Sequence, residues 1–166
     1  DTIEVERDWT NEEVGGFLAG DSTVAFVSGS SATSRGRILG GQTTEFEDLS
    51  LAAGVIEIAP GGGSTLDVRG RLSFDGGSFL VGAAPAIRFT GPDGRLGGAA
   101  AVVHKIDVVD RLTLEGDDDL TVSDGGFGLM VLGTGTFTLL DRAVVRLGTA
   151  GAPGRMVVQG TFVARG

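Results

Sequence analysis

The sequence predicts an all-β chain folded as a single parallel β-solenoid, and three observations carry that prediction. Thirty glycines but only 4 prolines are spread over 166 residues with no strict G-X-Y period, so the glycines read as turns and tight packing positions rather than as a collagen helix or a linker. Val, Leu, Ile, Phe and Thr fill the segments between them, which is the composition of short strands. One strand frame then recurs along the chain, the mark of stacked coils that bury their apolar faces against one another. A hydrophobic content of 41% over this length supports one core, so residues 1–166 are expected to form one domain.

The elements follow in chain order. Thr2-Ile3-Glu4-Val5-Glu6 alternates like a strand but precedes the first coil, so residues 1–7 are expected to be an arm that donates a strand to a neighbouring subunit. Thr10-Asn11-Glu12-Glu13 resembles a helix start, which Gly15-Gly16 stops within one turn. Gly61-Gly62-Gly63-Ser64-Thr65 reads as a corner; a phosphate-cradling loop needs a lysine and a following helix, and neither is there.

Leu66-Asp67-Val68-Arg69-Gly70-Arg71-Leu72-Ser73-Phe74 alternates so that Leu66, Val68, Leu72 and Phe74 face inward and their neighbours face solvent. Forty residues later Ile106, Val108, Leu112 and Leu114 repeat the frame, matching Leu66 to Ile106, Arg71 to Arg111, Leu72 to Leu112 and Gly76 to Gly116. A weaker copy runs from Met130 to Leu139, and Met156 to Gly166 follows again, with Gly160 in the place of Gly70 and Phe162 in the place of Leu72. About seven coils at about 4.8 Å each would give a stack roughly 35 Å long. A β-sandwich of hairpins is the alternative, because Asp75-Gly76-Gly77 and Asp124-Gly125-Gly126 are also good hairpin turns.

The first third carries a more specific signal. Asp8-Trp9-Thr10-Asn11, Gly16-Phe17-Leu18-Ala19-Gly20-Asp21-Ser22-Thr23-Val24-Ala25-Phe26, and the stretch from Ile38-Leu39-Gly40-Gly41 through Thr43-Thr44-Glu45-Phe46-Glu47-Asp48-Leu49 to Leu51 resemble a glycine-rich repeat of large bacterial surface and autotransporter-like proteins. That resemblance implies a right-handed β-helix-like fold, secretion and a surface or matrix role, and it implies no known enzyme activity. The chain departs from the pattern at Asp48, where asparagine is usual, and at Glu12-Glu13-Val14, which enlarges the first turn. Asn11 is the only asparagine, so asparagine ladders along the turns are excluded.

Composition excludes much chemistry. Without cysteine there are no disulfides or thiolate metal sites. His104 is the only histidine and no G-x-S-x-G elbow exists, so His104 is expected to be structural or solvent-facing rather than part of a triad. Asp117, Asp118 and Asp119 are a weak calcium candidate: three consecutive acids do not all point one way, and the spacing of a calcium loop is missing. Asp67 and Asp107 occupy equivalent outward positions, where acids are usually solubility devices rather than a catalytic pair. Trp9 and Phe17 are expected to cap the first coil rather than to stack on a sugar. No enzyme activity, cofactor or metal is expected.

A net charge of −9 opposes nucleic acid, and no apolar run reaches the roughly 20 residues of a membrane-spanning helix. The chain begins with Asp1 rather than Met, as a secreted protein does after its signal is removed, so an extracellular or cell-surface location is expected. Six acids lie between Asp1 and Glu13, against Arg7, whereas Arg142, Arg146, Arg155 and Arg165 follow Asp141 with no acid among them. The expectation is a structural subunit of an extracellular filament or surface matrix, a homopolymer joined head to tail through Thr2, Ile3, Glu4, Val5 and Glu6 at one end and Met156, Val158, Phe162 and Arg165 at the other. The alternative is a carbohydrate-binding or carbohydrate-active β-helix module, with polysaccharide as its partner.

Overall fold

In the computed structural model the described residues are 1–12, 17, 20–27, 36–39, 43–58, 65–80, 86–98 and 101–165. The chain opens with β1 (Thr2–Val5) and β2 (Asp8–Thr10), then makes three-sided turns. These are β3 (Thr23–Phe26), β4 (Gly36–Leu39), β5 (Thr44–Phe46); β6 (Asp48–Leu51), β7 (Val55–Ile58), β8 (Leu66–Val68); and β9 (Arg71–Phe74), β10 (Ser78–Phe79), β11 (Ile87–Phe89). They continue as β12 (Arg95–Gly97), β13 (Ala101–Val103), β14 (Ile106–Val108); then β15 (Arg111–Leu114), β16 (Asp119–Val122), β17 (Leu129–Val131). The last turn is β18 (Thr136–Leu140), β19 (Val144–Thr149), the short β20 (Ala152–Pro153) and β21 (Met156–Val158), and β22 (Thr161–Arg165) begins another.

Each turn contributes one strand to each of three faces. The first face is the eight-stranded sheet β1-β3-β6-β9-β12-β15-β18-β22, and the third is the six-stranded β5-β8-β11-β14-β17-β21. The second face is divided between β2-β4-β7-β10 and β13-β16-β19, with β10 lying against β13. All pairings between turns are parallel; only β19 with β20 is antiparallel, a local hairpin. This is a β-solenoid of about six turns, and the hairpin sandwich is excluded.

Parallel stacking in register explains why a period-two sequence suffices. Successive rungs put like positions on top of one another, so the interior is built from columns such as Leu66, Ile87, Ile106 and Leu129 and Phe46, Val68, Phe89, Val108 and Val131. All of these side chains are buried. Fully burying each contributes about 1.5–3 kcal/mol. The turns between faces need residues that bend sharply: Gly98 has φ +110°, and a Cβ there would strike the Phe74 carbonyl carbon at 2.9 Å.

The inward set Leu66, Val68, Leu72, Phe74, Ile106, Val108, Leu112 and Leu114 is buried throughout. The forty-residue repeat spans two turns, because Ile87 lies between Leu66 and Ile106, and two finer expectations are corrected. Leu72 lies level with Leu96, which lies level with Leu114 rather than Leu112. The corner at residues 90–94 is longer than the two-residue corners at 69–70 and 109–110. The resulting shift is two residues, which keeps every side chain on its own face. Nor are all the intervening residues solvated: Asp67 and Ser73 are 6% and 7% exposed although they point out of the core. Among the described residues there is no helix, and the start expected at Thr10 is instead the buried Asn11, whose N–H donates to Leu39 O and whose Nδ2 donates to Thr43 O, both at 3.1 Å. Gly15-Gly16 and Gly61–Ser64 lie outside the described residues.

Candidate functional site

The two ends of the stack differ chemically. At one end the core columns arrive at Val145 and Leu147 of β19, Met156 and Val158 of β21, and Phe162 and Ala164 of β22. Each points inward by register, and among the described residues no strand pairs with the outer edges of β21 and β22. Phe162 is 40% and Val158 41% exposed, while Phe137 and Val131 one rung below are fully buried. The β20 hairpin occupies the edge of β19 at its end, pairing with Gly148 and Thr149 and donating the Gly154 N–H to Leu147 O at 3.2 Å. Of the expected assembly residues, the structure thus brings Met156, Val158 and Phe162 together on one apolar surface, with Arg165 at its rim.

At the other end β1 pairs with β3, Thr2 opposite Thr23 and Val5 opposite Phe26. Residues 2–5 are therefore the first rung of their own face rather than a loose arm, with Ile3 and Val5 continuing the Val24 and Phe26 columns. The second edge of β1 has no strand partner among the described residues, and Ile3 is 41% exposed. Trp9 and Phe17 close the interior beside it, 4.6 Å apart edge to face and 5.4 and 5.7 Å from the buried Phe46. The indole Nε1 of Trp9 is buried without a hydrogen-bond partner among the described residues.

The charges divide into neutralised and free groups. Arg37 forms a two-pronged pair with Asp8, its Nη2 donating to Oδ2 at 2.7 Å and its Nε to Oδ1 at 3.2 Å, and this hydrogen bonding holds the Asp8 carboxyl below its ordinary range. Arg142 pairs with Asp117 at 3.0 Å and Arg146 with Asp119. Among the described residues Asp1, Glu4 and Glu6 at one end, and Arg155 and Arg165 at the other, form no ion pair. The end-to-end charge opposition therefore rests on fewer groups than the sequence count implies.

The three acids of the calcium candidate have separate partners. Asp117 and Asp119 turn to different arginines, and Asp118 Oδ2 accepts the Glu115 N–H at 3.1 Å. Three carboxylates with three separate partners do not form a cage, and no group of three metal-binding side chains occurs among the described residues. His104 lies half-buried at a turn, its carbonyl accepting the Asp124 N–H at 3.0 Å. Asp67 and Asp107 are separated by Arg88, which sits between them in register and lies 3.6 Å from Asp67. Burial pushes the Asp67 carboxyl above its ordinary range, with Arg88 pulling it back. Arg88 pairs with Asp67, whereas Asp107 lies 3.7 Å from Lys105.

Sequence reasoning missed Val145 and Leu147, which complete the open end. Their signal was the alternation Val144-Val145-Arg146-Leu147, which follows the frame of β16. No family model, no curated protein and no solved structure matches the chain. No helix among the described residues is long and apolar enough to cross a membrane.

Proposed function

We propose that this chain is a structural unit of an extracellular filament or surface matrix, joined end to end to further copies of itself. The observation that carries the reading is the exposed apolar end at Val158 and Phe162, which lies at the opposite end of the stack from the free edge that β1 presents with Ile3 and Val5. A parallel joint on the first face that sets Phe162 on Ile3 also sets Ala164 on Val5 and Arg165 beside Glu6. Trp9 and Phe17 supply the apolar surface that meets the open interior. A contact between two different ends does not close on itself, so its repetition makes a filament. The free acids at one end and free arginines at the other favour head-to-tail over head-to-head contact.

The test is sedimentation velocity with electron microscopy over a wide concentration range, on the wild type and on Phe162→Glu. The expected result is wild-type species that lengthen with concentration and a folded, monomeric variant. A wild type that stays monomeric at every concentration overturns the reading, as does assembly that the substitution leaves unchanged.

A further inference from the structure

The end of the stack that exposes Val158 and Phe162 is not open on all three faces. On the second face β19 runs on past its partner β16, which ends at Val122 opposite Leu147, and the chain then turns back at Ala150 and Gly151 into β20. This pairing is antiparallel, unlike those between turns. In the order of the sheet β20 stands beyond β19, so it occupies the place that the next coil would take.

The local sequence builds the hairpin and ties it down. Gly148 has φ +81°, and a Cβ there would run into the backbone of Gly154, so the two legs close on each other. The Arg155 N–H donates to Gly126 O at 2.9 Å, and a Cβ on Gly125 would meet the Ala152 Cβ at 2.8 Å, which seats the hairpin on the corner of the turn below. The hairpin also ends the sheet. In an antiparallel pair, neighbouring residues alternately turn their backbone groups toward the partner and away from it. Gly154 gives its N–H to Leu147 O at 3.2 Å, so Pro153 beside it turns outward, where proline has no N–H to offer. A short edge strand that ends in proline is a poor template for a further strand. On the other two faces β21 and β22 carry no proline, and their outer edges have no strand partner among the described residues.

We infer that the β19–β20 hairpin is a built-in stop that keeps the second face out of the joint between copies, which then meet through the first and third faces only. The inference rests on the end-to-end reading and names what regulates that end. At the opposite end the second face offers β2, whose outer edge has no strand partner among the described residues. With the hairpin removed, β19 becomes a matching edge for it, and the joint gains backbone hydrogen bonds on a third side.

Joining Gly148 directly to Gly154 removes Thr149 to Pro153. It leaves Gly148, Gly154 and Arg155 between Leu147 and Met156, a corner intermediate in length between His104-Lys105 before β14 and residues 123–128 before β17. Sedimentation velocity over a concentration series, on wild type, this deletion and Pro153→Thr, tests the inference, with circular dichroism to check each fold. The deletion should assemble at a concentration lower by about tenfold or more. Pro153→Thr keeps the hairpin but restores an outward N–H, and should lower it by about 2- to 10-fold, the scale of one backbone hydrogen bond. The deletion decides where it folds, and Pro153→Thr decides where it does not. If wild type assembles and the deciding variant needs the same or a higher concentration, the stop is overturned and the end-to-end reading stands. Wild type that stays monomeric while the deciding variant assembles overturns that reading and supports the stop; monomers throughout overturn both.

Discussion

Phe162 stacks on Phe137 with ring centroids 5.7 Å apart and planes tilted by 30°, yet Phe137 is 1% and Phe162 40% exposed. Two residues in one column thus do the same job with very different burial. Phe137→Ala should cost about 3–5 kcal/mol of stability, and Phe162→Ala about 1–2 kcal/mol in the unassembled chain, since less area leaves water. Urea denaturation at low protein concentration measures both. Equal losses would mean that the last turn is covered in solution.

Asp67 should make the protein more stable in mild acid. Its folded carboxyl is raised above the ordinary 3.8 by burial, opposed by Arg88 and by a hydrogen bond from Thr65, and reinforced by Glu45. Asp107 and Lys105 stand on the next rung beyond Arg88. Because the native state then holds this proton more tightly than the unfolded chain, the group destabilises the fold progressively as pH rises from 3.8 through its folded value. Glu47, also raised mainly by burial, adds to this trend, while Asp8, lowered by Arg37, opposes it weakly as a solvent-screened surface pair. Stability curves for wild type and Asp67→Asn should therefore differ in slope over the mildly acidic range. Parallel curves would show that Asp67 is solvated in the native protein.

The fold was legible because its signal is local and repeated: period-two alternation decides which side chains face inward, and stacking copies that decision from rung to rung. Leu66, Val68 and Leu72 could be placed from their own neighbours. The level of Leu114 could not, since it depends on the length of the corner at residues 90–94, which alternation does not encode. Asp67 shows a second limit. Its burial comes from what packs beside an outward position. The open end was legible at Met156, Val158 and Phe162, which share the repeat frame.

Two glycines in similar corners should respond oppositely to alanine. A Cβ at Gly94 would run into the backbone carbonyl of Arg111 on the next turn, whereas Gly133 has nothing within 4 Å. Gly94→Ala should lose more than about 1 kcal/mol because one of two backbones must move, and Gly133→Ala should gain about 0.4–1 kcal/mol through the stiffer unfolded chain. Thermal melting of the two variants decides it. A harmless Gly94→Ala would mean that adjacent turns sit farther apart at this corner.

Charge reversal tests the polarity of the proposed joint. Placing β1 of one copy on β22 of another, with Phe162 over Ile3, brings Glu6 beside Arg165, and neither residue forms an ion pair within its own chain among the described residues. Arg165→Glu should therefore raise the concentration needed for assembly by up to about fivefold, the scale of an exposed pair, and Glu6→Arg should do the same. The double reversal should restore most of the loss, which a merely structural effect of either substitution would not do. The difference between wild type and single variants should shrink with added salt, because the contact lies at the exposed rim. If each reversal has no effect and the double variant is no better than the singles, the copies do not meet in this register, and a different alignment of β1 on β22 must be sought.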